Sequence, residues 1–344
     1  MTIHDAIAAP GCSCDVRDRL EALISIEDAL GIIAIHAAPV TGSEAIPLHQ
    51  APGRILARPV GTRVMVPPFD NAAMDGYAIR TTNLTENAPW ILPVVARLPA
   101  GQDTTDVLPD GTAARIFTGA PIPEGADAVV MQEDVTREGD IIYLRSRPVP
   151  GLNIRHAGSD MAAGATVLDN GQILGSREIA ACAAAGAGRV HVRRRLRVAL
   201  LATGDEIREA GGAWQEAQIW DVNTPMLTAA LSTPRLELIA SACGTDRRAD
   251  LFRQLGDMAA QADLVVTTGG ISVGEEDNVK PALSNLGAET LFSGVAIKPG
   301  KPVSFGRIGS AVWLGLPRNP LSAFVMWQLF GTALLRRLTG QTTP

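Results

Sequence analysis

Residues 262–280 have the sequence Ala262-Asp263-Leu264-Val265-Val266-Thr267-Thr268-Gly269-Gly270-Ile271-Ser272-Val273-Gly274-Glu275-Glu276-Asp277-Asn278-Val279-Lys280, which indicates a strand, a glycine turn and the start of a helix. Its segment from Leu264 to Val266 is short, apolar and rich in β-branched residues, which is typical of a buried parallel strand. Gly269 and Gly270 then let the backbone turn sharply and approach a ligand closely. Ser272 and Asp277 stand near a predicted helix N-terminus, where amide N–H groups favour anions. An ordinary turn between a strand and a helix would have the same pattern, so the rest of the chain has to decide.

Strands and helices alternate through the second half of the chain. The sequence predicts strands at Val198–Leu201, Leu236–Ala240, Leu264–Thr267, Phe292–Ile297, Val303–Phe305 and Val312–Leu314, and helices at Pro225–Leu231, Arg247–Ala260, Val279–Leu286 and Leu321–Leu338. This alternation is typical of a parallel sheet with helices on both faces, whose ligands bind at the carboxyl ends of the strands. Thr203–Asp205, Gly269–Ser272 and Gly315–Pro317 all fall at such ends, so we expect them to line one crevice.

The first half of the chain differs in composition from the second. Residues 1–14 are predicted to be a flexible tail, and an amphipathic helix is predicted to begin after Ser25 as its N-cap. Residues 61–150 are rich in proline and glycine and contain short β-prone runs, which predicts a small β domain. The runs are Tyr77–Ile79, Trp90–Leu92, Ala114–Phe117, Ala128–Met131 and Ile141–Leu144. An alanine-rich helix capped by Ser176 and ended by a glycine is predicted further on.

Charge and cysteine content exclude several classes of protein. The net charge of the 344-residue chain is −6, which argues against nucleic-acid binding through bulk positive charge. The run Arg193–Arg195 lacks interleaved aromatic residues, so it fits a solvated linker better than a nucleic-acid patch. Neither a membrane span nor a secretory signal is predicted, and four scattered cysteines fit a cytoplasmic protein. Cys12 and Cys14 could bind a metal, but a thiol pair in a tail is the better interpretation.

The lysines occupy few positions in the sequence. Only three of the 30 basic residues are lysines, namely Lys280, Lys298 and Lys301. Lys280 follows the glycine stretch, and the other two lie in Lys298-Pro299-Gly300-Lys301-Pro302. A lysine is a compact point charge that suits an oxyanion, so these positions are candidate anion ligands. The alternative is chance clustering.

Six motifs taken together carry a resemblance to a known family. They are Phe69–Ala78, Thr118–Pro121, Ala199–Glu206, Ile219–Asn223, Thr268–Asp277 and Ile297–Pro302. Each motif is weak alone, and Asp70 in the first could equally form an Asx-turn or face solvent. In this shared order they resemble the molybdopterin molybdenumtransferases of molybdenum-cofactor synthesis, the MoeA and gephyrin E-domain family, over residues from about 24 to 340.

The resemblance implies a multidomain α/β fold. It implies an elongated split α+β domain at 15–60 and 151–192, an inserted β domain at 61–150, and a MogA-like doubly wound α/β domain at 193–340 that binds a mononucleotide or molybdopterin. Members are homodimers whose active site combines the α/β domain of one subunit with other parts of its partner. Their activity inserts molybdate into adenylylated molybdopterin and releases AMP, with a divalent cation that is usually Mg²⁺.

The resemblance also implies site residues. The catalytic candidates are Asp75, Thr118, Glu178, Asp205 and Asp221, the first three being expected across the subunit boundary. The substrate-binding candidates are Gly269, Gly270, Ser272, Asp277, Lys280, Lys298, Lys301, Arg318 and Ser322. Asp205 and Asp221 are also the candidate Mg²⁺ ligands, because Mg²⁺ prefers a few carboxylates together with phosphate oxygens. Glu178 could instead only complement a helix dipole.

Two departures from the family pattern bear on function. The family turn Gly-Leu-Pro-Gly-Asn-Pro is here Gly315-Leu316-Pro317-Arg318-Asn319-Pro320. Arg318 could supply an arginine to the site, block the original ligand, or face solvent. The family also usually continues into a C-terminal β-barrel that offers an arginine and a serine to the molybdate site, and the sequence predicts a form without it.

Two functions follow as hypotheses. The first is a molybdenumtransferase that converts molybdate and adenylylated molybdopterin. The second is a non-catalytic protein that binds molybdopterin or its molybdenum form and acts as a carrier or regulator. A molybdoenzyme or another cofactor-synthesis protein is the candidate macromolecular partner, and neither nucleic acid nor membrane is expected. The retained acids and lysines favour the first hypothesis, whereas Arg318 and the expected lack of a barrel favour the second.

Overall fold

The computed structural model describes residues 23–84, 88–103, 107–213, 215–244, 247–270 and 278–342. These residues form two compact units. Unit 1 comprises the described parts of Met1–Arg58, Asn170–Ser176 and Val190–Pro344, and unit 2 those of Pro59–Asp169 and Arg177–Arg189. The predicted tail with Cys12 and Cys14 lies outside the described residues, and the domain boundaries given above stay a prediction.

The described residues contain twenty strands and seven α-helices. The strands are β1 (Ser43–Pro47), β2 (Val60–Gly61), β3 (Asn71–Ala72), β4 (Gly76–Ile79), β5 (Trp90–Leu98), β6 (Ala113–Ile116), β7 (Ala128–Met131), β8 (Val135–Glu138), β9 (Ile141–Leu144), β10 (Ile154–Arg155), β11 (Thr166–Leu168), β12 (Arg189–Arg193), β13 (Leu196–Thr203), β14 (Ile207–Arg208), β15 (Ile219–Trp220), β16 (Leu236–Gly244), β17 (Leu264–Thr268), β18 (Glu289–Ser293), β19 (Ser304–Ile308) and β20 (Ala311–Leu316). The helices are α1 (Ile26–His36), α2 (Ser176–Ala184), α3 (Asn223–Leu231), α4 (Arg248–Gln261), α5 (Val279–Asn285), α6 (Pro320–Met326) and α7 (Thr332–Thr339), with a π-helical segment at Trp327–Gly331.

The main sheet of unit 1 has the strand order β16-β13-β17-β20-β19-β18. The first four of these strands are parallel, and their register places Ala202 opposite Thr268 and Thr268 opposite Leu316. The carboxyl ends of β13, β17 and β20 therefore lie side by side. This arrangement confirms the predicted α/β sheet and places the residues that follow these three strands along one edge.

Helices cover both faces of this sheet because alternate residues of its strands are buried on opposite sides. Val198 and Leu200 of β13 pack into a core with α1, α3, α6 and α7. Ala199 and Leu201 pack into a second core with α4 and α5. The near-continuous apolar run of β13 is thus explained by burial on both faces. The doubly wound arrangement predicted from the sequence is confirmed.

The sheet is mixed, which corrects the prediction that it is parallel throughout. β19 pairs antiparallel with both β20 and β18 and forms a hairpin with β18 at the edge. The predicted strand Phe292–Ile297 is also wrong, since the strand is Glu289–Ser293 and Gly294 leaves it with φ of +103°. The apolar pattern continues because Val295 is fully buried in the core although it lies beyond the strand.

The helix-end predictions are confirmed at two places. The Ser25 side chain caps α1 by accepting a hydrogen bond from the Asp28 N–H at 3.0 Å. The predicted long C-terminal helix is present as α6, the π-helical segment and α7 in succession. It ends at Gly340, whose φ of +68° and ψ of 29° form a left-handed cap.

Unit 2 contains a six-stranded sheet with the order β7-β4-β6-β5-β9-β8. β5 and β6 are parallel, and the other neighbours are antiparallel. All five predicted β runs lie in or overlap this sheet, and Ala128–Met131 and Ile141–Leu144 match the observed strands at both ends. The predicted alanine-rich helix is present as α2, with Ser176 as its first helical residue and not as the cap before it.

The basic run Arg193–Arg195 is not a solvated linker, which corrects that prediction. Arg193 belongs to β12, and the Arg194 guanidinium donates two hydrogen bonds to Asp263, at 2.6 and 2.9 Å. Asp263 also accepts the backbone N–H of Arg197 at 2.8 Å and is only 12% exposed. The run therefore fixes the amino end of the sheet. Of the helices that the structure describes, none combines the length and apolarity that a bilayer span requires.

Candidate functional site

The glycine turns lie at the carboxyl edge of the unit 1 sheet. Gly269 has φ of +86° and Gly270 has φ of +64°, a region that favours glycine. A Cβ atom on Gly269 would lie 2.8 Å from the Thr203 carbonyl oxygen, and one on Gly270 would lie 2.5 Å from Cγ2 of Val279. Both glycines are therefore required for space as well as for conformation. They hold the turn tightly between β13 and α5.

Three other predicted ligands belong to the glycine stretch. Lys280 is half-buried in the first turn of α5. Ser272 and Asp277 lie outside the described residues, so their role in substrate binding stays a prediction.

Asp205 and Asp221 flank two short strands that pair in parallel, β14 and β15. The Asp221 N–H donates to the Arg208 carbonyl oxygen at 2.7 Å, and the Asp221 carboxylate accepts the Thr224 N–H at 2.9 Å. Asp205 is exposed just after β13. Asp205 thus directly follows β13, whereas Asp221 lies at the other end of the β14–β15 pair, at the start of α3.

The donor set near these acids suits a cation that is shared with a substrate. The described residues include no cluster of three or more His, Cys, Asp or Glu side chains that could hold a metal ion. Mg²⁺ usually keeps several waters and needs only one or two carboxylates together with substrate phosphates. Asp205 and Asp221 each offer a single carboxylate, which fits a Mg²⁺ ion bound mainly by water and substrate phosphates and does not fit a metal held by protein alone.

Arg318 lies within the crevice. Its Nη1 atom donates to Oε1 of Glu206 at 2.9 Å, and its carbonyl oxygen accepts Nδ2 of Asn223 at 2.8 Å. A Cβ atom on Gly269 would lie 3.2 Å from its Nε atom, so the side chain runs beside the glycine turn. Of the three possibilities left by the sequence, a side chain that only faces solvent is excluded.

The predicted lysine pair lies on the turn between β18 and β19. Ser304 at the start of β19 pairs with Gly315 near the end of β20, which puts this turn at the same carboxyl edge. The turn is closed by a hydrogen bond from the Val295 N–H to the carbonyl oxygen of Lys301 at 2.9 Å. Lys298 and Lys301 are both exposed. The hairpin that the sequence did not predict therefore carries the predicted anion ligands.

Helix α6 supports this turn and holds another predicted ligand. A Cβ atom on Gly300 would lie 2.6 Å from Sδ of Met326, so the turn rests directly on the helix. Ser322 is buried in the first turn of α6, where its N–H donates to Oδ1 of the cap residue Asn319 at 3.1 Å. This contact is structural, and a contact of Ser322 with substrate stays a prediction.

Several polar groups at this edge were not assigned a role from the sequence. Oδ1 of Asn223, Oγ1 of Thr224 and Oγ1 of Thr268 are buried and make no hydrogen bond with any residue that the structure describes. Buried polar atoms are normally paired, so such atoms mark a place where a ligand or water can bind. Glu206 and Asn223 lie within the motifs quoted above. Their positions next to the candidate acids in the sequence were the only sign that they could belong to the site.

Asp75 and Thr118 meet in unit 2. Oδ1 of Asp75 accepts both the backbone N–H and the hydroxyl of Thr118, each at 2.8 Å. These two hydrogen bonds, with the charge of Arg115 as a further cause, lower the pKa of Asp75 below its ordinary value. Asp75 is therefore an anion at neutral pH, with a fixed orientation.

Asp70 is tied to a partner that the sequence did not reveal. It accepts the N–H of Ala157 at 2.7 Å and lies 3.0 Å from Nδ1 of His156. The backbone hydrogen bond first, and His156 second, lower the pKa of Asp70. Asp70 is therefore neither an Asx-turn residue nor a purely solvated acid. The distance of 86 positions along the chain hid this contact from sequence reasoning.

Glu178 lies in the first turn of α2, as predicted. Its side chain is only 13% exposed and pairs with Arg177 at 2.9 Å. Burial first, and the Glu178 charge second, raise the pKa of the Cys182 thiol. Glu178 is thus a largely buried side chain of unit 2 in the first turn of α2, a position that also fits complementing the helix dipole, and its catalytic role stays a prediction.

Comparison with known proteins gives the family. Residues 24–186 match the family model described as MoeA N-terminal region (domain I and II), and residues 199–337 match the one described as Probable molybdopterin binding domain. The chain is 39% identical over 302 residues to the molybdopterin molybdenumtransferase of Haemophilus influenzae, covering 88% of this chain and 74% of the relative. The chain belongs to the molybdopterin molybdenumtransferase family.

Other members of the molybdopterin molybdenumtransferase family agree in sequence and in structure. Molybdopterin molybdenumtransferase 2 of Mycobacterium tuberculosis is 38% identical over 309 residues, which cover 87% of this chain and 76% of that protein. The crystal structure of the molybdopterin biosynthesis MoeA protein from Pyrococcus horikoshii has a TM-score of 0.81 at 31% identity and covers 93% of this chain and 80% of that one. The fold and the place in molybdenum-cofactor biosynthesis are those of the family.

Proposed function

We propose that this chain inserts molybdate into adenylylated molybdopterin and releases AMP. One observation supports the proposal: the glycine turn and the lysine turn lie on the same carboxyl edge of the unit 1 sheet, where β13 also ends just before Asp205. A pterin phosphoanhydride needs close backbone amides, and a molybdate dianion needs cationic groups. The glycine turn at Gly269 and Gly270 supplies the first, and Lys298 and Lys301 supply the second.

Arg318 adds a planar cation to this edge. A guanidinium presents several donors in a fixed geometry that matches phosphate and other oxyanions. Glu206 holds the guanidinium beside Gly269, so its charge is positioned before a ligand arrives. In this proposal Arg318 binds a phosphate or molybdate oxygen, and Asn223 orients its backbone.

Mg²⁺ is part of the proposal. Asp205 and Asp221 would hold it together with substrate phosphate oxygens. When bound, Mg²⁺ supplies charge neutralisation for the phosphoanhydride. The contribution of the chain is to position the anhydride against the glycine turn and to keep the molybdate near the lysines, so no strongly basic side chain is required.

We also propose that the enzyme is a homodimer in which Asp75, Thr118 and Glu178 of one copy complete the site of the other. Phe69 and Met74, which flank the motif of Asp75, are each 44% exposed and are suited to burial against a second copy. Mixing two inactive variants, Asp75→Asn and Lys298→Ala, tests this arrangement. Restored activity in the mixture is expected, because the mixed dimer has one intact site, and no restoration would contradict it.

Release of AMP tests the main proposal. The purified chain is incubated with adenylylated molybdopterin, molybdate and Mg²⁺, and AMP is measured by chromatography. We expect release that depends on both molybdate and Mg²⁺ and is lost in Lys298→Ala. Release no greater than in a protein-free blank contradicts the proposal. Calorimetric binding of molybdopterin without release would support the alternative of a carrier or regulator.

A further inference from the structure

A separate basic cleft lies in unit 2. It has a volume of about 430 Å³, and its lining includes Arg97, Arg115, Phe117, Arg137 and Asp140. Three guanidinium groups thus face one carboxylate within a cavity of a size that takes small ligands. None of the roles described above uses this cleft as a binding site.

Two of the arginines are placed against each other by the sheet. Arg97 of β5 is the register partner of Arg115 of β6. Two guanidinium groups held at neighbouring positions repel each other, because like charges interact unfavourably at short distance. The register shifts between Val94 and Ala96, just before Arg97, and such bulges commonly re-aim side chains next to functional sites. The backbone therefore brings two positive charges together at a place where the sheet itself gains nothing from them.

Phe117 compensates only part of this repulsion. The Cζ atoms of Arg97 and Arg115 lie 4.6 and 4.8 Å from the centroid of its ring. A cation over an aromatic face is attracted to it, which holds both guanidiniums in place. The ring carries no charge, so the net positive charge of the cleft remains.

The remaining groups leave the cleft positive. Arg115 is anchored by hydrogen bonds to the Gly76 carbonyl oxygen at 3.1 Å and to the side chain of Gln132. Asp140 lies 3.5 Å from Arg137. The Arg137 side chain is 43% exposed and the Asp140 side chain 90% exposed, so this ion pair is weak.

We propose that this cleft is a binding site for a tetrahedral oxyanion, with Arg97, Arg115 and Arg137 as its ligands. A doubly charged anion between Arg97 and Arg115 would remove their repulsion and gain charge-assisted hydrogen bonds from planar donors. Free inorganic oxyanions and phosphate monoesters share this chemistry. The inference goes beyond the proposed reaction and rests on unit 2 alone.

Isothermal titration calorimetry of the full chain with inorganic phosphate, molybdate and AMP tests the site. Because the lysines and Arg318 of unit 1 also attract anions, the titrations use a chain that carries Lys298→Ala, Lys301→Ala and Arg318→Gly. We expect saturable binding that Arg97→Gln weakens about tenfold, the usual effect of losing one charge-assisted hydrogen bond. Arg145→Ala, which removes an exposed arginine of unit 2 outside the cleft, should leave the affinity unchanged.

The relative affinities for phosphate, molybdate and AMP distinguish the possible sources of the anion. Tighter binding of phosphate or molybdate than of AMP assigns the site to free oxyanions, and the reverse order assigns it to monoesters. Arg137→Gln provides a second variant at an exposed position if Arg97→Gln does not fold. Absence of saturable binding at millimolar concentrations, or equal affinity in Arg97→Gln, Arg137→Gln and Arg145→Ala, overturns the proposal. AMP release in the unmodified chain is measured separately and does not depend on this result.

Discussion

Nη1 of Arg318 donates a hydrogen bond to Oε1 of Glu206 at 2.9 Å, so a guanidinium occupies the crevice where the family turn has a glycine. The two side chains are 36% and 29% exposed, and such partly exposed pairs contribute about 1 kcal/mol or less. We expect Arg318→Gly to change the free energy of unfolding by no more than that. It should weaken AMP binding about tenfold in calorimetry, because a phosphate ligand is lost.

A matched control for this variant is Arg253→Ala, which removes an arginine from an exposed pair with Asp250 on α4. Its AMP affinity should equal that of the unmodified chain. Tighter binding in Arg318→Gly would show that the arginine obstructs the ligand and would contradict its assignment as a ligand.

Replacement of Gly269 by alanine should destabilise the chain. Alanine pays about 1–2 kcal/mol for a left-handed backbone, and here its Cβ would also lie 2.8 Å from the Thr203 carbonyl oxygen. Gly287→Ala is the control, since Gly287 has φ of +69° but nothing within 4 Å of the added Cβ. Urea denaturation should show a clearly larger decrease in the free energy of unfolding for Gly269→Ala than for Gly287→Ala. Equal losses in the free energy of unfolding would mean that the backbone at Gly269 shifts to accommodate the added methyl group without a further penalty.

Thr118→Val should raise the pKa of Asp75 towards its ordinary value. The variant removes the hydroxyl donor, which is the second cause of the lowered pKa, and keeps the backbone donor, which is the first. Thr118→Ser retains both donors and serves as the control. The carboxyl pKa is measured by NMR titration of each protein. An unchanged pKa in Thr118→Val would show that the hydroxyl has no influence on the carboxylate.

Asp263 should make unfolding pH-dependent. Burial alone would raise its pKa, but hydrogen bonds from Arg194 and Arg197 outweigh burial and lower it below 3.8. The folded state therefore binds the proton less tightly than the unfolded state. The stabilisation of the folded state by the ionised Asp263 carboxylate is fully present above the ordinary pKa of aspartate. It is lost as the pH falls through the lower pKa of the folded state.

Asp263→Asn removes this contribution and weakens the Arg194 contact. We expect a loss of about 2–3 kcal/mol at neutral pH, with a smaller difference from the unmodified chain in acid. Asp257→Asn, at an exposed position of α4, is the control and should cost little. Urea midpoints across a pH series measure both. A difference that does not shrink in acid would argue against this role of the ion pair.

The lysine turn gives a prediction about substrate use. Lys298→Ala should abolish molybdate-dependent AMP release, and Lys301→Ala should raise the molybdate concentration needed for half-maximal release. Both should affect pterin binding less, because their compact charges suit the dianion. Arg253→Ala again controls for loss of one positive charge. Equal losses in molybdate use and pterin binding would mean that the lysines have a structural role.

The sequence predicted elements whose cause is local. β17 follows from an apolar run before a glycine pair, and α1 begins where Ser25 caps it. The lysine hairpin could not be predicted, because Val295 continues the apolar pattern although Gly294 has already ended β18.

Contacts between distant positions were equally hidden from the sequence. Nothing local to Asp70 indicates His156, and nothing local to Arg194 indicates Asp263. At the site, the motifs indicated the glycines and acids. The contact of Arg318 with Glu206 depends on the ends of β13 and β20, which lie on either side of β17. The sequence shows which side chains are present, but which of them contact each other depends on the register between strands.

The mixed sheet places the glycine turn on central strands and the lysine turn on an edge hairpin, so the two turns can be varied independently by engineering. Gly269 and Gly270 are fixed by central parallel strands and have no room for a side chain. Lys298 and Lys301 lie on an edge hairpin, exposed and outside the ladder that holds the core. Changes of loop length or charge between 296 and 301 can therefore be explored for altered oxyanion preference while the turn at Gly269 and Gly270 stays unchanged.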